Sequence, residues 1–462
     1  MIVGKGQRFL SLQRLRYFRR AAGILGALLV AIQFARPDLT NPPVVADLTA
    51  PPEVQRVLRQ SCYDCHSNET QVPWFDLVVP VYWKVVEDVR HGRAHLNFSS
   101  FGRLSPAQQK GLLYESVNQI RLGAMPPSAY TLVHPGSVVA SGDLALLERT
   151  LHPEGEGQEV APALPVPATP MFPSRGDVSP APNGLAFIRG YENWQAVAAT
   201  DRFDNATVRV ILANDVAIRA LEDSRISPWP DGASFAKVAW NVAADATGLV
   251  RAGSFRQVEL MVKDAAKYAS TEGWGWGRWL GAELKPYGDS PRFTGECTSC
   301  HAPMHRNDYV FTMPIRSASA RADLLNTAAL PSDDFPEHPL EWRVVTLFVD
   351  KRAATLSIVC GNALAVEHAR DGSRDPYPPG AALARVTWSE REDPYWFGAR
   401  IAGRVLSTRR ITVGGTVDGP PTYDCQERRD GAPQRTPSPS CPPDPVGSLL
   451  SEATTLVEHG PR

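Results

Sequence analysis

Two copies of a five-residue motif, far apart in the chain, constrain this sequence more than any other feature. They are Cys62-Tyr63-Asp64-Cys65-His66 and Cys297-Thr298-Ser299-Cys300-His301. In the Cys-x-x-Cys-His pattern two thiols add to the vinyl groups of one porphyrin, and the histidine binds the iron as proximal ligand. The sequence therefore predicts two covalently bound c-type haems. Their attachment and ligand residues are Cys62, Cys65, His66, Cys297, Cys300 and His301. A zinc or redox Cys-x-x-Cys followed by a chance histidine is the alternative for each motif.

The N-terminus has the order of a targeting segment, because an apolar run from Ala21 to Phe34 follows Arg14, Arg16, Arg19 and Arg20. A basic head before such a run is typical of a secretory signal or signal anchor. The run is shorter than the roughly 20 residues of a full membrane span, and no small-x-small cleavage site precedes Arg36-Pro37. We expect an uncleaved signal anchor at 1–36 and a periplasmic protein held at the inner membrane. A buried helix of the first domain is the alternative.

Composition sets broad limits. A chain of 462 residues is expected to form several domains, and its net charge of −1 argues against a nucleic-acid partner. Three of the seven cysteines lie outside the motifs. In an exported chain Cys425 and Cys441 could pair across a Pro-rich loop, whereas Cys360 lies in an apolar run and is expected to be a buried free thiol.

The composition and the periodicity of the sequence change twice along the chain. Residues 37–152 show helical periodicity and predict an all-α haem domain, with helices at 52–60, 81–90, 106–122 and 143–151. Residues 153–182 are rich in Pro, Gly and Glu and predict a linker. Beyond them, alternating apolar residues at 207–212, 235–240 and 255–262 predict strands.

An internal repeat organises the rest of the chain, because Trp194–Trp240 aligns without gaps to Trp342–Trp388. Shared Trp, Asn, Pro and Gly at fixed offsets imply the same turn and the same buried anchors, with chance similarity as the alternative. We predict two α+β modules, a first copy at 183–318 and a second copy at 336–425. A linker at 319–335 separates them, and a Pro-rich tail follows at 426–462. Only the first copy carries a haem motif.

The first haem needs a sixth ligand, and Met125 is the candidate. It stands in Met125-Pro126-Pro127, and a thioether in a Pro-stiffened loop is a common way to place an axial methionine. Competing donors are His91, His95 and His134.

The residues around the first motif resemble a known family. Besides Ser61–Asn68 they include Trp74, Gly92-Arg93, Leu96-Asn97-Phe98, Met125-Pro126-Pro127, Tyr130 and His134-Pro135. This set resembles the bacterial haem-binding domain family found behind N-terminal anchors, over about residues 30–151. The resemblance implies a small periplasmic c-type cytochrome domain without a defined reaction of its own.

A second resemblance covers about residues 183–315. It is carried by Met261–Asp264, Gly273–Gly277, Glu296–Met304 and Asn307–Thr312. This set is similar to the cytochrome P-460 family, which includes the β-rich relatives of cytochrome c′. The resemblance implies a mainly antiparallel β module with a five-coordinate haem and an open distal side. In its cross-linked members a lysine bonds the porphyrin edge and the enzyme oxidises hydroxylamine; other members bind nitric oxide or other small gases.

Lys237 is the candidate for that lysine, and Glu296 is a candidate proton acceptor beside Cys297. Only an unprotonated amine can attack a porphyrin carbon, so the pKa of Lys237 must be lowered by burial. A surface lysine and a solvated carboxylate are the plain alternatives. The equivalent of Lys237 in the second copy is Arg385, which stays protonated.

These observations predict a periplasmic di-haem redox protein. Hydroxylamine or another small nitrogen compound would bind the open middle haem, and electrons would pass through the six-coordinate N-terminal haem to a redox partner protein. Non-enzymatic gas binding and pure electron transfer stay open as alternatives. The second copy is expected to cover a face of the first.

Overall fold

The computed structural model describes residues 5–152, 171–173, 176–244, 249–316, 321–331, 338–371, 375–416, 419–429 and 441–451. The chain divides into two compact units, Met1–Pro153 and Glu154–Arg462. The first unit is helical and the second is mainly an antiparallel sheet, as the sequence predicts.

The helical unit contains seven α-helices among its described residues. They are α1 (Lys5–Ile32), α2 (Pro52–Ser61), α3 (Tyr63–His66), α4 (Val81–His95), α5 (Pro106–Arg121), α6 (Ser128–Val133) and α7 (Ser141–Leu151). Local sequence explains where they begin. Ser105 and Gln108 form a capping box at the start of α5, with Pro106 at the first helical position. Phe98, Phe101 and Tyr114 fill the core.

Helix α1 covers the basic residues and the apolar run of the N-terminus. Across the described parts of the chain, we find no helix that combines the length and the apolar character needed to cross a bilayer.

The second unit contains eleven strands among its described residues. They are β1 (Gln195–Arg202), β2 (Thr207–Ala213), β3 (Ser234–Ala244), β4 (Leu249–Lys263), β5 (Trp274–Leu280), β6 (Lys285–Pro286), β7 (Arg343–Asp350), β8 (Thr355–Gly361), β9 (Ala382–Asp393), β10 (Trp396–Gly414) and β11 (Thr422–Arg429). Its helices are α8 (Asp215–Glu222), α9 (Thr294–His301), α10 (Ala363–Arg370) and α11 (Pro445–Ser451).

All these strands belong to one antiparallel sheet, and eight of them close into a ring in the order β3-β2-β1-β10-β9-β8-β7-β4, with β4 pairing back to β3. Strands β5 and β6 extend the sheet beside β4, and β11 extends it beside β10. The two copies meet at two short pairings. Thr200 faces Ile401 between β1 and β10, and Val250 faces Val349 between β4 and β7.

The two copies fold in the same order, strand, strand, helix, strand, strand. Their matched asparagines show why the repeat is visible in the sequence. Asn214 accepts from the backbone N–H of Ala217 at 3.0 Å and caps α8, while its amide donates to the carbonyl of Gly232 at 2.8 Å. Asn362 makes the same contacts at the start of α10. Gly232, at φ +88°, adopts a left-handed conformation that favours glycine.

Parts of the segments expected to be linkers, 153–182 and 319–335, pack against the core where the structure describes them. Trp240 and its equivalent Trp388 are fully buried, and each indole donates to a carbonyl of these segments, Met171 at 2.7 Å and Ala329 at 2.6 Å. Phe172 also lies in the core. A buried indole N–H needs an acceptor, and backbone carbonyls of these two segments provide it. The segments, which we call straps, therefore pack against the core although their sequences have no periodicity. Residues 153–170, 174–175, 317–320 and 332–335 lie outside the described residues.

The tail expected at 426–462 is also partly packed. Cys425 and Cys441 form a disulfide with their Cα atoms 5.5 Å apart, and Leu449 of α11 is fully buried. A cross-link that closes a loop of this size contributes about 3 kcal/mol to stability. Cys360 is buried and free, as expected. Residues 430–440 and 452–462 lie outside the described residues.

The disulfide and the haem motifs together predict the thiol count. With four cysteines in thioethers and two in the disulfide, titration in denaturant should find one free thiol per chain before reduction and three afterwards. The variant Cys360→Ala is the control, and it should bring the first count to zero. Three free thiols before reduction would contradict the disulfide.

Candidate functional site

The first motif sits where α2 passes into α3 and packs against α4. The Tyr63 ring stacks on Phe98 with centroids 5.1 Å apart, and its hydroxyl donates to Asp47 at 2.9 Å. Helix α4 approaches the motif closely at Gly92, where an added Cβ would lie 2.6 Å from the carbonyl oxygen of Cys65. Glycine is required there because any side chain would separate α4 from the motif.

His66 is held in one tautomer by the end of α4. Its Nδ1 lies 3.1 Å from the carbonyl oxygens of both Gly92 and Leu96. Carbonyls only accept, so Nδ1 carries the proton and Nε2 keeps its lone pair. Burial lowers the pKa of His66, which favours the neutral ring. A metal-binding histidine is usually neutral, and the ring N–H that faces away from the metal donates a hydrogen bond, often to a backbone carbonyl.

The Met125 loop lies next to this motif. It leads into α6, whose Tyr130 hydroxyl donates to Asp64 of the motif at 2.9 Å. The Met125 side chain is 40% exposed, so its sulfur is not committed to a core. The ligand role of Met125 itself stays a prediction.

The competing histidines are engaged elsewhere or face solvent. His134 lies 2.8 Å from Asp76 and stacks on the ring of Tyr130. His95 lies 3.3 Å from Glu115, and His91 is exposed. These environments favour Met125 over the histidines.

The second motif forms α9, and its histidine is held in the same way as His66. Nδ1 of His301 donates to the carbonyl of Tyr309 at 2.7 Å, which leaves Nε2 for a metal. The ring lies between Trp276, at 4.6 Å, and Phe311, at 5.0 Å. Burial lowers the pKa of His301 to about 4. Phe311 in turn packs against Trp396 of the second copy, so both copies build the wall beside this histidine.

Glu296, predicted as a proton acceptor, lies on the exposed face of α9. Its carboxylate accepts from the hydroxyl of Tyr287 at 2.9 Å. The structure thus places Glu296 next to Cys297 but gives it a tyrosine partner, and its role in chemistry stays a prediction.

Lys237 belongs to a charged row across three strands that the sequence did not reveal. Register places Lys237 of β3 opposite Glu259 of β4, and Glu259 opposite Arg278 of β5. The Lys237 ammonium pairs with the Glu259 carboxylate, and Nε of Arg278 lies 3.2 Å from it. The row lies close to the second motif, since the charges of Lys237, Glu259 and Arg278 act on the pKa of His301.

Burial and neighbouring charge act oppositely within this row. Burial lowers the pKa of Lys237, as its proposed chemistry requires, while the Glu259 carboxylate opposes that change. Burial alone would raise the pKa of Glu259, but the Lys237 and Arg278 cations lower it to about 2. Burial lowers the pKa of Arg209 to about 9. Glu259 is therefore an ionised carboxylate with three cations near it.

These residues fit a haem. The ring of Trp276 contacts His301, and its buried Nε1–H has no acceptor among the described atoms. A group bound beside His301 could supply that acceptor. Three cations against one carboxylate leave excess positive charge, which suits the two propionates of a haem. When bound, haem would supply a redox-active iron, which the histidine would ligate. Cys297, Cys300 and His301 would hold it.

The second copy has lost this arrangement. Arg385, in the place of Lys237, is buried, donates to the hydroxyl of Ser357 at 3.2 Å and lies over the Phe348 ring at 5.3 Å. Its guanidinium is thus part of the packing of that copy.

Comparison with known proteins agrees with this geometry. A family model described as a haem-binding domain matches residues 27–151, and one described as cytochrome P460 matches residues 188–312. No curated protein matches the chain. Both matches indicate haem as the cofactor, and each contains one Cys-x-x-Cys-His motif. The chain therefore carries a haem-binding domain followed by a cytochrome P460 domain.

Proposed function

We propose that this chain is a periplasmic di-haem c-type cytochrome. The observation that supports it best is shared by both motifs. His66 and His301 each donate Nδ1–H to backbone carbonyls and keep Nε2 for iron, although the acceptors of His66 lie at the end of α4 and the acceptor of His301 lies in a loop. Two unrelated local structures that orient a histidine in the same way favour two haem irons.

The two haems have different tasks in this proposal. The first has Met125 as sixth ligand and exchanges electrons only, because an iron with both axial positions filled has no place for a substrate. The second has an open distal position, where hydroxylamine or nitric oxide binds. Glu259 is ionised beside Lys237, but because its pKa is lowered to about 2 it is a weak proton acceptor, so Glu296 stays the proposed acceptor near this haem.

One observation favours a second candidate function, gas binding without turnover. The Lys237 ammonium is paired with the Glu259 carboxylate, and a protonated amine cannot attack a porphyrin carbon. A cytochrome whose Lys237 stays in this ion pair would bind nitric oxide without a lysine cross-link.

Location and partners are part of the proposal. The basic and apolar residues of 1–36 support export, with this segment as signal or inner-membrane anchor. The disulfide supports an oxidising compartment. A redox partner protein would receive electrons from the first haem.

The proposal predicts two haems per chain. A pyridine haemochrome assay of the full chain, expressed with c-type maturation, should give two haems that remain with the denatured polypeptide. Replacing Cys62 and Cys65 by Ala, or Cys297 and Cys300 by Ala, should leave one. Cys360→Ala is the control and should keep both. A denatured chain without haem would contradict the proposal.

Lys237 decides between the two functions. If the chain is an enzyme, Lys237→Arg should abolish hydroxylamine oxidation and remove any anomalous absorption band of a cross-linked haem. If it is a gas-binding protein, wild type and variant should both bind nitric oxide and neither should turn over hydroxylamine. Lys285→Arg, at an exposed position, is the matched control. Turnover that survives Lys237→Arg would contradict the role of this residue.

Met125→Ala should open the sixth position of the first haem. Its spectrum should change from six-coordinate low-spin to high-spin, and the haem should then bind carbon monoxide. The reduction potential should fall because the thioether is lost. His95→Ala is the control and should leave the spectrum unchanged. If His95→Ala opens the sixth position and Met125→Ala leaves the spectrum unchanged, His95 is the ligand.

A further inference from the structure

The loop that orients His301 adopts an unfavourable backbone conformation. Tyr309, whose carbonyl accepts from Nδ1 of His301, has φ +67°, and Asp308 before it has φ +45°. Left-handed conformations are unfavourable for residues other than glycine, above all for a bulky residue such as tyrosine. Two in succession persist only where surrounding contacts hold them.

Asp308 supplies those contacts. Its Oδ1 accepts from Nζ of Lys263 at 2.8 Å, and its Oδ2 accepts from the backbone N–H of Trp229 at 2.8 Å. Its carbonyl accepts from Nε1 of Trp274 at 3.0 Å. The residue before the histidine's acceptor is thus fixed from three separate segments of the first copy.

Lys263 is buried, so water cannot solvate its ammonium group. The side chains of Lys263 and Asp308 are 7% and 9% exposed. The ammonium also lies over the Trp274 ring, 4.8 Å from its centroid. Removing one member of a buried ion pair leaves an uncompensated charge, so the loop depends on both.

The second copy shows that the fold does not require this lysine. In the first copy the backbone of Lys263 accepts from Gly232 and donates to Ala233. In the second copy Val413 makes the same two bonds, with Gly380 and Ala381. An apolar side chain, buried at 1% exposure, therefore serves the same place in the sheet. The charge occurs in the copy that also has the proximal histidine.

We propose that Lys263 and Asp308 are a positioning pair for His301. They hold the turn at 308–309 so that the Tyr309 carbonyl accepts a hydrogen bond from Nδ1–H of His301, which fixes the ring and raises the basicity of Nε2 toward iron. This inference rests on the proposed haem at the second motif. His66 is held differently, since two carbonyls of one helix end accept from it.

The test uses the full chain with haem attached and compares Lys263→Met and Asp308→Asn with wild type. In both variants the iron–histidine stretching frequency of the middle haem should fall. Its reduction potential should rise, with a change of about tenfold in the redox equilibrium constant, or 59 mV for one electron. The first haem should keep its potential and serves as an internal reference.

Two further variants make the test decisive. Asp201→Asn removes one partner of another buried pair, Lys351–Asp201, and should lower stability without moving the stretch or the potential. Trp274→Phe removes only one contact to Asp308, so it can test the positioning role if the charge variants do not accumulate. It should lower the iron–histidine stretching frequency and raise the reduction potential, as the charge variants do. Lys263→Arg, which keeps the charge, should restore values near wild type.

Failure of this inference can be told from failure of the proposed function. Variants that keep the wild-type stretch and potential with haem in place would overturn the positioning role alone and leave a purely structural ion pair. A wild-type chain without haem on Cys297 and Cys300 would overturn both proposals.

Discussion

The mainly antiparallel unit depends on two short strand pairings between its copies. Strand β1 of the first copy pairs with β10 of the second, and β7 of the second pairs with β4 of the first. Without them each copy would present open strand edges, which expose unpaired backbone groups and invite aggregation. Buried charges accompany the junction, since Lys351 of the second copy pairs with Asp201 of the first. The ring, rather than either copy, is the folding unit.

This constraint explains why a copy without a haem motif is present. The second copy has the packing residues of the repeat, such as Asn362 and Trp388, and differs from the first at both lysines beside the haem motif. Arg385 takes the place of Lys237, and Val413 takes that of Lys263. It also contributes Trp396, which packs on Phe311 beside His301. Its role is to close the sheet and to complete one wall of its neighbour's site.

Much of the fold was predictable because it follows from local chemistry. The helices expected at 52–60, 81–90, 106–122 and 143–151 all form, and so do the three predicted strands. Matched Trp, Asn and Gly residues disclosed the repeat because each makes the same hydrogen bond in both copies. Both motif histidines were identified from spacing alone.

What could not be predicted depends on contacts between distant residues. Glu259 stands in an alternating run, but only the register of β3 against β4 places it opposite Lys237. The strap that contains Phe172 has no periodicity, and its burial follows from the need of Trp240 for an acceptor. Asp308 and Lys263 stand in two of the segments that carry the second family resemblance, but only the folded loop reveals the contact between them.

Closure of the ring also fixes an order of events during biosynthesis. Strand β1 gains its second neighbour only when Thr200 pairs with Ile401 of β10, which lies about 200 residues later in the chain. The motif at Cys297 is complete well before Trp396 has been made, because chains are synthesised from the N-terminus. This motif is therefore synthesised before the second copy's part of the wall beside His301 exists.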